Sequence, residues 1–419
     1  MKIKALFLFA CFCLFPASGL EIDFPENSEV RTQYKDLIFG PITDINNFRQ
    51  TYNEQTYYDQ SVLVKSQEAA EASYLLFINE KSYDYPVVSI GAYIIKRDKI
   101  NGQFIQAKVF LKDREDTFMR IFPDNDKSKI DLFLYGRKVY SDVPLPESFE
   151  DVLVNPANEV FVKTKGLIDW DLILNKGASL LYGNLIDMVN EIRSALPYLP
   201  DGDDGAMDAD GRLVYIENLG PQSQGGLNCS GFVKWIVDGI IYPRTGSYLK
   251  ISDLKIKRYN YRGDSMTNRY EEERDPFFGL DWTRNLAMAA WDKYDDPELF
   301  DVKNVSFLDY YEDIGYQADD IDLALYQLAV KEPGYFYLGS VNGDWGENPT
   351  LRQHYHVAAF FPFFDSDGQF EIVVMERNKE IGIDDFRKKY SGEYINLARI
   401  PVSEDFVPPE INKGLRLFR

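Results

Sequence analysis

The sequence predicts a β-rich N-terminal module followed by an α+β domain, and three observations predict it. From Val87 to about Val143, short apolar and polar runs alternate with the period of a half-buried strand. Three helical stretches then follow, over 181–192, after Cys229 and over 319–331. Last come three strand-like runs, Tyr335 to Val341, His356 to Phe364 and Gln369 to Arg377, the final two joined by the turn signal Asp365-Ser366-Asp367-Gly368.

At 419 residues, 45% of them hydrophobic and 15% aromatic, the chain can bury more than one core. Residues 1–19 read as a secretory signal peptide: Lys2 and Lys4 precede the apolar run Ala5 to Leu14, and Ala17-Ser18-Gly19 forms a small-x-small cleavage site. Cys11 and Cys13 leave with it, so Cys229 is the only cysteine expected in an exported protein with no internal disulfide. The longest later apolar run, Val357 to Phe364, is the size of a strand, and no transmembrane segment is expected. A formal net charge of -21 argues against nucleic acid and anionic membranes as partners.

The N-terminal module is expected over residues 20–155. One short helix is expected around Ser66 to Leu76, and strands over Val87 to Ile95, around Ala107, Val109 and Leu111, and around Ile130, Leu132 and Leu134. Asn101-Gly102 and Pro123-Asp124-Asn125-Asp126 mark turns between them, giving a small sandwich or barrel. Pro144, Pro146 and Pro156 mark its boundary with a second domain over 160–419.

In that domain a helix aligns Leu181, Leu185, Met188, Val189 and Ile192. The Asp- and Gly-rich stretch from Asp201 to Gly211 reads as solvated turns, because a calcium loop starting at Asp201 would need Glu where Arg212 stands. After Cys229, Phe232, Val233, Ile236, Val237 and Ile240 share one helical face, with Lys234 and Asp238 opposite, and Gly239 to Thr245 ends the helix. Residues 246 to about 315 read as a polar insertion with a helical piece around Arg284 to Lys293 and the charge run Glu271 to Asp275. The Arg262-Gly263-Asp264 tripeptide in it reads as a turn.

A lone cysteine is ordinarily a small buried hydrophobe. Cys229 has polar neighbours, Asn228 and Ser230, and Gly231 stands in the first helical turn at a cost of about 1 kcal/mol relative to Ala, which implies a close approach by backbone or substrate. A helix N-terminus favours the thiolate, the nucleophilic form. The only two histidines, His354 and His356, start one strand, and the period of two places them on one face. Pairing across the hairpin brings Glu376 or Asn378 beside them. Thiol, imidazole and a polar group to orient the imidazole are what a cysteine hydrolase requires.

These residues resemble the NlpC-type cell-wall cysteine peptidases, a papain-like family. Asn228-Cys229-Ser230-Gly231-Phe232 is similar to the family's Asp-Cys-Ser-Gly-Phe, and Gly239 to Thr245 to its Gly-x-x-x-Pro-Arg-Thr/Ser turn. Pro333-Gly334 resembles its Pro-Gly-Asp, and His356-Val357-Ala358 its His-Val-Gly. The resemblance covers about 205–245 and 330–380. It implies a papain-like fold for 160–419, Cys229 as nucleophile, His356 as base, and Tyr215 helping the Cys229 N–H to hold the oxyanion. The substrate it implies is peptidoglycan or its peptide fragments, cleaved in the peptide stem without a cofactor. Three departures stand out: Asn228 replaces Asp, Tyr335 replaces the Asp after Pro-Gly, and the third group is Glu376 or Asn378 where the family has His, Asn or Gln.

The expectation is therefore an exported cysteine peptidase of the periplasm or extracellular envelope. Two rivals stand beside it. One is a zinc hydrolase using His354, His356 and Glu376. The other is a non-catalytic cell-envelope binding protein on a degenerate hydrolase fold, whose Cys229 would have an ordinary thiol pKa.

Overall fold

The computed structural model describes residues 24–56, 60–175, 177, 179–222, 225–258, 275–291, 299–347 and 350–411. The signal peptide expected at 1–19, the Arg262-Gly263-Asp264 turn and the charge run at 271–274 lie outside them. The chain is mixed α and β and divides into two compact units, one of residues up to 131 with 142–168, the other of 132–141 with 169 onward. Helices Phe149–Val154 and Ala157–Thr164 thus count with the first unit, beyond the prolines 144, 146 and 156.

An eight-stranded sheet in meander order dominates the N-terminal region: β1 Gln50–Gln55, β2 Gln60–Glu68, β3 Ala72–Asn79, β4 Tyr93–Asp98, β5 Phe104–Phe110, β6 Phe118–Asp124, β7 Lys127–Leu134 and β8 Arg137–Leu145. It is one sheet, whereas a sandwich needs two. Alternation builds its core. Val64, Phe77, Tyr93, Val109 and Met119 are directly paired across β2 to β6, and all five are fully buried. The buried Arg31 guanidinium lies 3.8 Å from the Tyr93 ring centroid and donates to Leu153 O at 2.7 Å and Asn155 O at 2.9 Å.

Two expectations fail in this region. The stretch from Ser66 to Leu76 is no helix. It is the end of β2, a turn closed by Ala69 N–H to Ala72 O at 2.9 Å, and the start of β3. The period of two that buries Val62, Val64, Leu75 and Phe77 outweighs the helix propensity of the Glu and Ala residues in the turn. The strand expected from Val87 starts only at Tyr93, after Gly91 at φ +79°.

A six-stranded antiparallel sheet organises the second unit, in the order β11 (Tyr316–Gln317), β16 (Tyr394–Pro401), β12 (Tyr335–Trp345), β13 (Leu351–Phe364), β14 (Phe370–Glu376), β15 (Lys379–Ile381). A hairpin, β9 Ala206–Met207 with β10 Leu213–Val214, precedes the cysteine helix. Helix Ile321–Lys331 covers one face of the large sheet, with Ile321, Ala324 and Leu325 against Tyr337, Val341 and Phe360. Helix Phe278–Trp291 covers the other, since a Cβ on Gly279 would lie 3.0 Å from Ser340 Oγ. With both faces covered, β13 reads as an unbroken apolar run from Val357 to Phe364.

Two further corrections follow. Helix Phe278–Trp291, placed in the presumed polar insertion, is part of the core, with Leu280, Trp282, Leu286, Ala287 and Met288 fully buried. Leu181 is exposed and belongs to a 3₁₀ turn; helix Gly183–Ala195 buries Leu185, Met188, Val189 and Ile192. The cysteine helix ends within the segment expected to end it, at Thr245, where Gly246 at φ +74° caps it. Gly239 lacks a side chain because Phe406 and Val407 pack there; a Cβ would lie 2.4 Å from the Phe406 ring.

Candidate active site

Cys229 is the first residue of helix Cys229–Thr245. Asn228 caps it, its side-chain oxygen accepting from Gly231 N–H at 2.8 Å. The N–H groups of Cys229 and Ser230 have no carbonyl partner within their own helix. Gly231 lies against backbone: a Cβ there would be 2.0 Å from Gly205 O, which accounts for its unfavourable place in a first turn. Trp282 Nε1–H donates to Ser230 O at 2.9 Å, tying this turn to helix Phe278–Trp291.

The helix is buried on all sides from Ser230 to Ile241. Lys234 and Asp238, expected on a polar outer face, are fully buried and paired with each other, one turn apart. Asp238 also accepts from Leu249 N–H at 2.8 Å. Burial outweighs the lysine's attraction and pushes the Asp238 carboxyl up to about 6.

The histidines separate where a single period of two would have joined them. The β12–β13 register shifts between Val341 and Asn342, so that Val341 pairs with His356, Asn342 pairs with His354, and Tyr355 is the extra residue. Paired residues share a face and Val341 and Asn342 are consecutive, so the histidines project from opposite faces. His354 is buried. Its Nε2–H donates to Asp313 O at 2.7 Å and its Nδ1 accepts from Ser340 Oγ at 2.9 Å, which fixes the neutral tautomer. Burial pulls its pKa down to about 4. With both ring nitrogens engaged, His354 does not join His356 in a zinc site.

His356 instead meets Cys229 and Glu376. Its Nε2 is 2.8 Å from Glu376 Oε1, an ion-pair distance, although the ring N–H does not point along that line. Burial pulls the imidazole down, but a hydrogen bond to Cys229 and the Glu376 carboxylate together raise it to about 9. The reciprocal effects favour the ionised forms of the partners. Burial pushes the Cys229 thiol up, and His356, the Val357 N–H and Ser230 bring it below the usual thiol value. Burial likewise pushes Glu376 up, and His356, Lys389 and Tyr390 bring it down to about 2. Each group thus favours the charged form of its neighbour, thiolate beside imidazolium beside carboxylate.

Of the two candidates for the third position, Glu376 faces His356; Asn378 turns away, its Nδ2–H donating to Leu199 O at 3.1 Å. Tyr215 is exposed and does not line the cavity that holds Cys229. Its backbone closes the turn to Gly220, with N–H to O at 2.9 Å. The acidic stretch before it makes turns. Asp204 accepts from Ile216 N–H at 3.1 Å, Asp208 from Asp210 and Arg212 N–H at 2.9 Å, and Asp201 pairs with Arg377 at 2.8 Å.

Tyr390 and Lys389 were not foreseen. Tyr390 O–H donates to Glu376 Oε1 at 2.6 Å and its ring lies nearly parallel to His356, with centroids 5.6 Å apart. Lys389 contacts the same oxygen. The sequence signal was faint, a short helix, Ile383–Lys389, whose apolar Phe386 anchors the turn that carries both. Cys229, His356, Glu376, Lys389 and Tyr390 line a cavity of about 600 Å³, which His354 also lines, with Trp345 and Tyr355, stacked with centroids 4.6 Å apart, on its wall.

Residues 21–172 match the model of a family described as a domain of unknown function (DUF8515). The match ends before the cysteine helix. No curated protein and no solved structure matches the chain. Among the described residues, no helix is long and apolar enough to cross a membrane.

Proposed function

We propose that this chain is an exported cysteine hydrolase of papain-like, NlpC-type architecture that cleaves an amide bond in the peptide stem of peptidoglycan. The observation that carries the chemistry is the convergence of Cys229, His356 and Glu376 from a helix start, a bulged strand and a strand end into one cavity. The choice of substrate rests on the resemblance of the segments around Cys229 and His356 to the cell-wall peptidases.

The Cys229 thiolate attacks the amide carbonyl carbon, and the new C–S bond leaves charge on oxygen. First-turn N–H groups at Cys229 and Ser230 are donors for that charge, and the helix dipole favours it. His356, already protonated, gives its proton to the departing amine, the C–N bond breaks, and a thioester remains. His356 then takes a proton from water as the water attacks the thioester, and the carboxylic acid and thiolate are released. Glu376 stabilises the imidazolium throughout.

A lowered thiol pKa supports this reading over the non-catalytic envelope-binding alternative, which calls for an ordinary thiol. The test is release of soluble stem-peptide fragments from purified sacculi. Iodoacetamide should abolish the release and a chelator should leave it intact; alkylation-resistant, chelator-sensitive release would contradict the proposal.

A further inference from the structure

Glu376 is 8% exposed, and three groups share its Oε1: His356, Lys389 and Tyr390. A carboxylate so enclosed remains ionised only while donors replace water. Tyr390 is the neutral donor among them. It is 4% exposed, its N–H bonds to Phe386 O at 3.1 Å, and its ring packs on Phe386 with centroids 4.6 Å apart. Phe386 in turn packs edge-on against Phe360 of β13. The phenol therefore has little freedom to move, and it touches both members of the pair it joins, Glu376 through oxygen and His356 through its ring face.

We propose that Tyr390 is a positioning residue for the hydrolase site: it holds the Glu376 carboxylate against His356 and so sustains the thiolate–imidazolium pair. The inference rests on the catalytic reading given above. Among the described residues, the groups that act on His356 are Cys229 from the cysteine helix and Glu376 from β14; Lys389 from helix Ile383–Lys389 acts on Glu376, and Asp203 and Arg377 line the same cavity. Tyr390→Phe changes none of those charges and keeps the ring, so its effect isolates one hydrogen bond. Without that donor the burial cost on Glu376 is less fully met, the carboxylate is held less firmly, and His356 loses part of its partner.

The chain has only two histidines, so NMR titration of isotope-labelled imidazoles can follow both. In Tyr390→Phe the His356 midpoint should fall by about one pH unit, a tenfold change in its protonation constant. Glu376→Gln should lower it further. An unmoved His354 resonance reports that the fold is intact. Turnover of a stem peptide should drop about tenfold in kcat with KM little changed. A Tyr390→Phe midpoint equal to wild type, with Glu376→Gln shifted, would overturn the positioning role and leave the catalytic reading standing. A wild-type His356 titrating at its ordinary value, with a Cys229 that alkylates no faster than a free thiol, would sink the catalytic reading and this inference with it.

Discussion

His354 and His356 are two residues apart on one strand, yet the extra residue Tyr355 turns them to opposite faces, and burial pulls one down to about 4 while an ion pair raises the other to about 9. One histidine belongs to the fold and the other to the site. The two are separable by experiment.

For His356 the expected signature is in the rate. Activity should rise as the Cys229 thiol, held below its usual value, ionises, and fall as His356 loses its proton at about pH 9. Glu376→Gln should move the alkaline limb to lower pH, because the imidazolium loses its carboxylate. Profiles of kcat/KM against pH for the two proteins check this.

For His354 the signature is in stability. Its folded pKa, about 4 against an ordinary 6.5, means that the unfolded chain binds the extra proton between those values. The stability it contributes is complete above 6.5 and falls by about 3 kcal/mol as pH drops to 4. His354→Ala should instead lose about 2–4 kcal/mol near neutral pH, because it removes the hydrogen bonds to Ser340 Oγ and the Asp313 carbonyl. Urea titrations at several pH values decide it.

Gly231→Ala should separate position from stability. The added methyl meets the Gly205 carbonyl, so the first helical turn must shift, at about 1–3 kcal/mol. Because Cys229 moves with that turn, activity should fall by about a hundredfold even where the protein remains folded. Circular dichroism melts run beside turnover assays separate the two effects.

Asp238→Ala should destabilise by about 3–5 kcal/mol, since it leaves the Lys234 ammonium buried without its partner. The double variant Lys234→Met with Asp238→Leu should recover most of that loss. Equal losses in the single and double variants, measured by denaturant unfolding, would mean that the ion pair itself supplies the stability.

Much of the site was legible because its signals are local. The polar cap, the glycine and the apolar face after Cys229 mark a helix start within a dozen residues, and Asp365 to Gly368 sets the hairpin that brings Glu376 back toward His356. What failed depends on distant partners. A one-residue bulge is decided by how β12 and β13 close, and it reverses a face that the period of two assigns. Lys234 and Asp238 look exposed by residue type, and only a helix enclosed on every side, with the 406–409 segment across Gly239, turns them inward. Tyr390 carries no motif; its role arises 34 residues after His356, where the end of helix Ile383–Lys389 brings its ring beside that histidine.

The most direct test incubates the wild-type protein and Cys229→Ala with purified peptidoglycan and identifies the soluble products by mass spectrometry. The account predicts new stem-peptide fragments from the wild type alone, with Cys229→Ala folded and inactive. Fragments from both proteins, or from neither while the wild type still sediments with the sacculi, would contradict it.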